Sequence, residues 1–404
     1  MVLFAFKYFN FFNSNFSALA GFLHLSYPIG IINIILPIGL SFHTFQSLSY
    51  VIEVYRGKQK AEHHFGIYSL YVMFYPQLVA GPIERPQNLL HQFREKHTFE
   101  YQRVTDGLKL MAWGLFKKVV IADRLAMLVN HVYASPQDFS GLSLIIATVF
   151  FAFQIYCDFS GYSDIAIGSA QVMGFKLMDN FNRPYFSKNI SEFWKRWHIS
   201  LSTWFRDYVY ISLGGNKVSK WRWQFNLFIT FVISGFWHGA NWTYVIWGAL
   251  NGFYLIFSIW TRDIRNRFVM SIGITKYPKI LKAFQVGITF SLICFAWIFF
   301  RAKNLGEAWY IITHLFGGMD NVSKYYSQFY ELTNVSGFGK PGFAICILSI
   351  LFLEVVHLIQ RHNKIRHILS EKPIWFRWSM YYAIVLGILV FGVFGTNNFI
   401  YFQF

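Results

Sequence analysis

Acidic side chains are scarce in this sequence: its 404 residues hold 19 Asp and Glu against 36 Lys and Arg, and charged residues make up only 14%. Because 55% of the residues are hydrophobic, so low a charge excludes a disordered or heavily solvated chain. Cysteine is nearly absent. Cys157, Cys294 and Cys346 show no C-x-x-C spacing, so neither a disulfide framework nor a zinc site is indicated, and each reads as a packing residue in or beside an apolar segment. No nucleotide-binding glycine loop, metal signature or serine-hydrolase elbow stands out, which argues against an ATP-driven pump or a serine-nucleophile esterase. No fixed-period repeat and no inverted pair of halves stands out either, which counts against a secondary transporter. The formal net charge of +17 does not signal nucleic-acid binding, because the basic residues are spread over the connections between apolar runs, as headgroup contacts and cytoplasmic loops require.

The sequence is rich in apolar runs, near 2–24, 28–52, 66–83, 107–131, 141–174, 225–238, 241–260, 283–300, 342–360 and 379–396. Several reach bilayer-spanning length, and together they predict about ten transmembrane or re-entrant helices. The run 66–83 is short and ends in Gly81-Pro82, so it is expected to be re-entrant. The run 28–52 carries Pro28, Pro37 and Gly39 as kinks, and its Ser41, His43, Thr44 and Gln46 must face protein or water. The N-terminal Ala18-Leu19-Ala20 resembles a cleavage site. It lacks a basic region before it, and its apolar block is broken by Lys7, Asn10, Asn13 and Asn15, so we read it as a retained membrane segment. The chain is treated as a single domain, 1–404.

Trp237-His238-Gly239-Ala240-Asn241-Trp242 sets an ionisable imidazole inside the apolar stretch from Phe225 to Trp260. As one helix that stretch would measure ~54 Å, well beyond the ~30 Å hydrocarbon core, so it must break, and Gly239 to Asn241 is the natural place. A helix end within the bilayer is tolerated only where protein covers it or a wet cavity lies against it, so a central cavity is expected at His238. Taken alone, His238 has two readings, a hydrogen-bonded packing histidine or a functional one.

A second block runs from Ile190 to Tyr208. Phe193, Trp197, Leu201 and Trp204 recur at helical spacing while Lys195, Ser202 and Arg206 fall on another side, which describes an interfacial amphipathic helix. Asn189 and Glu192 have capping-box spacing at its start. From Arg183 to Arg222 basic residues (Arg183, Lys188, Lys195, Arg196, Arg206, Lys217, Lys220, Arg222) far outnumber acidic ones (Glu192, Asp207). The surplus suits lipid headgroups or an anionic substrate, and both readings stay open. His198 falls beside the aromatic stripe and so can point into the protein. Asp158 and Asp164 are read as bracing carboxylates in a turn permitted by Ser160, Gly161 and Ser163, and are not assigned to catalysis. His357, His362 and His367 sit at five-residue spacing, which turns successive side chains by ~140° and gives them no shared metal-binding face.

The order of Leu78-Val79-Ala80-Gly81-Pro82-Ile83, Tyr156-Cys157-Asp158-Phe159-Ser160-Gly161-Tyr162-Ser163-Asp164, Asn182-Arg183-Pro184-Tyr185, Trp194 to Asp207, Leu213-Gly214-Gly215-Asn216 and Trp237 to Trp242 resembles the membrane-bound O-acyltransferases. Within them it is most similar to the alginate O-acetyltransferase branch, which also includes proteins acting on peptidoglycan or cellulose and the D-alanyl transferases of teichoic acid. The resemblance covers the chain from about residue 28 onward. Members usually carry further membrane segments before the point at which this chain begins, so Met1 is expected to be an internal or mis-assigned start. His43 stands where the family more often has tyrosine.

The resemblance implies an all-α polytopic protein of the bacterial inner membrane. It would move an acetyl-type group from a cytoplasmic donor, such as acetyl-CoA or another acyl thioester, toward hydroxyls of an extracytoplasmic polysaccharide. Alginate and peptidoglycan lead as acceptors; teichoic-acid D-alanylation, or a transporter or flippase for an acyl carrier or glycan, are the alternatives. No bound cofactor or metal is expected; the implied partners are lipids and extracytoplasmic acetyltransferase proteins. His238 matches the family's catalytic histidine, and an imidazole with its ordinary pKa of ~6.5 can take a hydroxyl proton near neutral pH. His198 matches a second histidine that would orient the acceptor or polarise the thioester carbonyl. Arg183, Lys195, Arg196 and Arg206, with Asn241 beside His238, are candidate donor- or acceptor-binding residues. The aromatic ending Phe399 to Phe404 is either an interfacial anchor or, as in related acylation systems with a similar ending, an acyl carrier through Tyr401.

Overall fold

The computed structural model describes residues 2–32, 37, 39–318, 322–334, 338–361, 365–395 and 399–400; the side chains of 322, 324, 325, 366 and 367 are not described. Among the described residues there is no β-strand. The first helix, α1 (Phe9–Phe22), follows a π-helical turn, Phe4–Tyr8, and packs its aromatic face onto the centre of the chain. Among the described residues of the apolar run 28–52, the helical ones begin at Leu40. Gly39 takes a left-handed φ of 79°, which a side chain rarely adopts, and α2 (Leu40–Tyr55) starts immediately after it. α3 (Phe65–Met73) is nine residues long, about 13 Å, too short to cross a bilayer, and the chain then turns back through the protein so that His43 Nε2–H donates to the Leu78 carbonyl at 2.9 Å.

α4 (Tyr101–Phe116) continues through a π-helical stretch, Lys117–Ala122, into α5 (Asp123–Ala134). It lies along α6 (Leu142–Met173), whose 32 residues make a rod of about 48 Å. Two pairs of glycines set this crossing: a Cβ on Gly114 would strike the Gly161 carbonyl and the reverse, and Gly107 stands in the same relation to Gly168. The turn expected at Ser160, Gly161 and Ser163 is therefore not formed. Gly161 is used for close helix packing, and α6 runs straight through.

The block from Ile190 is also different from a single periodic helix. It is two short helices, α7 (Ile190–Trp194) and α8 (Ile199–Phe205), with a corner at His198. Phe193, Trp197, Leu201 and Trp204 are buried in protein, while Lys195 and Arg206 are exposed, so the stripe is real but faces the core. Asn189 caps α7 as its spacing predicts, its Oδ1 accepting from the Glu192 N–H at 2.9 Å.

α9 (Lys220–His238) and α10 (Trp242–Trp260) form an antiparallel hairpin, broken where the length argument requires. Gly235 and Gly248 meet at their crossing, where a Cβ on Gly235 would collide with the Tyr244 carbonyl. Beyond α10, α11 (Arg262–Ser271) buries none of its residues and alternates Arg262, Arg265 and Arg267 with exposed Ile264 and Phe268, as a helix lying in the interface does. α12 (Pro278–Arg301), α13 (Gly339–Ile359) and α14 (Ile374–Phe391) complete the body. Among the described residues five helices, α6, α10, α12, α13 and α14, are long and apolar enough to cross a membrane. α14 buries little beyond Ile388, and its exposed Trp378, Leu389 and Val390 suit a lipid-facing surface.

Candidate active site

His238 is the last residue of α9, and the extended Gly239 that follows ends the helix. Its Nδ1 lies 2.7 Å from the carbonyl of Ser234 one turn back. A carbonyl only accepts, so Nδ1 carries the proton and Nε2 is left as the basic nitrogen. Among the described residues, Trp237 at 4.9 Å, Trp247 of α10 at 4.9 Å and Phe300 of α12 at 5.5 Å between centroids pack around the imidazole. The side chain is 6% exposed. The residues just after it, Ala240, Asn241 and Trp242, line an open cleft of about 430 Å³ together with Asn10, Phe11, Ser14 and Asn15 of α1.

His198 is 1% exposed. Its ring meets Phe159 of α6 edge-on at 4.5 Å and Phe42 of α2 at 6.5 Å, and Phe42 in turn packs on Trp237 at 5.8 Å. On the other side Trp197 touches Trp297 at 5.2 Å, and Trp297 stacks on Trp247 at 5.7 Å. One aromatic wall thus joins the two histidines, drawing on six separate parts of the chain. His198 itself has φ 42° and ψ 57°, a left-handed conformation that is uncommon outside glycine. Strain of this kind persists only where the surroundings fix it.

Asn180 is what fixes it. Its carbonyl accepts the Ile199 N–H at 2.9 Å, its Oδ1 accepts from Ser200, and its Nδ2 donates to Ser163 of α6 at 3.3 Å. Asn180, Trp247, Trp297 and Lys7 were not singled out as site residues by sequence. Asn180 gives little signal, since a polar residue in a loop looks solvated; only the fold makes it 1% exposed. Lys7 was visible as a charge inside an apolar block.

The other candidates are placed elsewhere or otherwise engaged. Asn241 accepts from the Thr243 N–H at 3.0 Å to cap α10 and donates to the Lys303 carbonyl at 3.0 Å. Arg196 pairs with Glu192, and Arg206 with Asp207 at 2.7 Å. Arg183, also left-handed at φ 46°, reaches the His357 carbonyl at 3.4 Å. Lys195 is exposed. Asp158 and Asp164 do brace the structure, but through buried ion pairs: Asp164 with Lys117 at 2.8 Å, and Asp158 with Lys118 at 2.8 Å while its other oxygen accepts the Ile400 N–H at 2.8 Å. Phe399 packs on Tyr162 at 4.9 Å and on Phe159 at 6.1 Å, so its ring lies beside the one that faces His198. Tyr401 lies outside the described residues, as does His362.

A histidine at the broken end of a membrane helix, joined through one aromatic wall to a second buried histidine at a strained corner, defines a multi-pass helical membrane protein with two buried imidazoles in its core. The membrane-bound O-acyltransferase family model matches residues 61–301, and the chain belongs to that family. It is 44% identical over 289 residues to the probable alginate O-acetylase of Pseudomonas aeruginosa, covering 72% of this chain and 53% of the relative. It is 35% identical over 382 residues to the peptidoglycan O-acetyltransferase of Helicobacter pylori, covering 86% and 70%. A more distant relative is the teichoic acid D-alanyltransferase of Streptococcus thermophilus, 30% identical over 291 residues with 68% and 70% covered. The chain thus spans about half the length of the Pseudomonas relative. Family and apolar helices together make it a multi-pass protein of the bacterial inner membrane.

Proposed function

We propose that this protein transfers an acetyl group from a thioester donor toward hydroxyls of an extracytoplasmic polysaccharide, with His238 as general base. The observation that carries the proposal is the Nδ1 contact to Ser234, which fixes the tautomer and leaves Nε2 as proton acceptor. As Nε2 takes the hydroxyl proton, the oxygen attacks the thioester carbonyl; the carbon–sulfur bond then breaks and the thiolate recovers the proton from the imidazolium. His198 is the partner that orients the acceptor or polarises the carbonyl. The names of the relatives support O-acetyl transfer to alginate or peptidoglycan ahead of D-alanylation, since those relatives are the more similar. Acetyl-CoA is the donor to try first, and extracytoplasmic partner proteins would complete delivery to the polymer. In this reading Tyr401 is an acyl carrier at the chain's end.

Charge placement supports an orientation. Lys217 precedes α9, Lys220 and Arg222 lie in its first turn, and Arg262, Arg265, Arg267, Lys276, Lys279 and Lys282 follow α10, so the open end of the hairpin is strongly basic while its Gly239–Asn241 turn carries no charge. Both connections are short, the case in which positive residues stay in the cytoplasm. The turn, and the cleft beside it, would then face outward, with His238 about 27 Å along α9 from its basic start.

Purified full-length protein in detergent, given acetyl-CoA and oligosaccharide acceptors, tests the reading. Acyl transfer without a membrane gradient, lost on His238→Ala, supports the enzyme. Transport that needs a gradient, with no transfer, overturns it.

A further inference from the structure

Lys7 is a charge in the middle of an apolar segment, and its partner is a helix end. Its ammonium donates to the carbonyl of Trp237 at 2.8 Å and to the carbonyl of His238 at 2.9 Å, and lies over the Trp237 ring at 5.8 Å. Among the described residues no carboxylate lies within ion-pair distance of it. The last carbonyls of a helix have no intrahelical donor, and within a bilayer no water is there to satisfy them. Those carbonyls also form the negative pole of the helix, where a cation is stabilising. α9 thus supplies the counter-charge that Lys7 requires, and Lys7 supplies donors to the peptide units that carry the imidazole.

The seat that delivers Lys7 is built by the same segment. Tyr8 stacks on Phe236 at 4.4 Å, Phe11 lies against Phe236 at 5.5 Å and Trp242 at 5.6 Å, and Asn15 Oδ1 accepts from Trp242 Nε1 at 3.0 Å. The N-terminal segment therefore grips both sides of the Gly239–Asn241 break, and the ammonium sits at the joint.

We propose that Lys7 is a positioning residue for His238, holding the last turn of α9 so that Nε2 keeps a fixed aim on the reacting centre. This rests on the acyltransferase reading for its catalytic consequence, but not for its structural one. A misplacement of about 1 Å can cost 10²-fold in rate, so a frayed helix end would show in turnover before it showed in binding.

The experiment compares full-length parent protein with Lys7→Met, which keeps the stem, Lys7→Arg, which keeps the charge, and His238→Ala. Hydrogen exchange across 235–242 reads the helix end without reference to activity: Lys7→Met should lose protection there and Lys7→Arg should keep it. In acetyl transfer, Lys7→Met should lower kcat roughly 10- to 100-fold with the donor KM within about twofold of the parent, and Lys7→Arg should recover most of the rate. Unchanged exchange in Lys7→Met, or a kcat within about twofold of the parent, overturns the proposal. Equal loss in Met and Arg variants, together with a common fall in Tm, marks a packing role and overturns it too. If Lys7→Met does not fold, Lys7→Gln, neutral but still a donor, is read by the same two measurements. An inactive parent or an active His238→Ala counts against the acyltransferase reading alone, and the exchange result still decides the proposal.

Discussion

Asn180 Oδ1 accepts both the backbone N–H of Ser200 at 3.2 Å and its hydroxyl at 2.8 Å, tying the loop before Arg183 to the first turn after His198. Because the same residue's carbonyl takes the Ile199 N–H, three bonds converge on the residues that force His198 into its left-handed conformation. Asn180→Ala removes two of the three and leaves buried donors unmatched, at a cost of about 1–3 kcal/mol. It should lower the Tm and reduce acetyl transfer more than the stability loss explains, because the corner can relax. Asn180→Ala with parental activity would reject this role.

His238→Ala should reduce transfer by about 10²- to 10⁴-fold, the usual contribution of a general base. Expression and Tm should stay near the parent. His198→Ala should keep measurable activity, but it forces alanine into a left-handed backbone at about 1–2 kcal/mol, whereas His198→Asn tolerates that conformation better. The asparagine variant should therefore be the more stable of the two by thermal unfolding, with transfer impaired in both. A His198→Ala protein as stable as His198→Asn would show that the corner had changed shape.

Orientation is open to direct labelling. The three native cysteines are buried, so a single introduced cysteine reports its own site. Ala240→Cys should react with a membrane-impermeant maleimide added outside spheroplasts, and Arg267→Cys only after the membrane is opened. The reverse pattern would invert the hairpin and place the cleft on the cytoplasmic side.

The parts of this structure that sequence revealed are those set by one-dimensional physics. The break at Gly239 follows from the length of a helix against the thickness of a bilayer, and the Asn189 cap from its spacing to Glu192. The failures have one cause as well. Gly161 and its neighbouring serines look like a turn because the reason for a glycine there, the Gly114 backbone across the helix crossing, lies 47 positions earlier in the chain. The Ile190 to Tyr208 stripe looks like a single lipid-facing helix because periodicity cannot say whether lipid or protein covers an aromatic face. The corner at His198 depends on Asn180, and Lys7 on a carbonyl some 230 residues away. Such partners are invisible until the chain is folded.

The chain's end offers the last prediction. Asp158 sits between two groups, Lys118 at 2.8 Å and the Ile400 amide at 2.8 Å, so one buried carboxylate both completes an ion pair and holds Ile400 against α6. Asp158→Ala would leave Lys118 with Asp123 as its remaining carboxylate partner and release Ile400, and removing one member of a buried pair costs about 3–5 kcal/mol. Asp158→Asn keeps an acceptor for Ile400 while removing the charge. If Tyr401 carries the acyl group, freeing the tail should abolish transfer to polymer in Asp158→Ala while donor binding persists, and Tyr401→Phe should do the same with no loss of Tm. If the tail is only an anchor, Tyr401→Phe keeps the ring and its membrane preference, and polymer acetylation should be unchanged. Radiolabelled acetyl recovered on the parent protein at Tyr401, and missing from Tyr401→Phe, would establish the phenolic ester directly; full polymer acetylation by Tyr401→Phe would reject it.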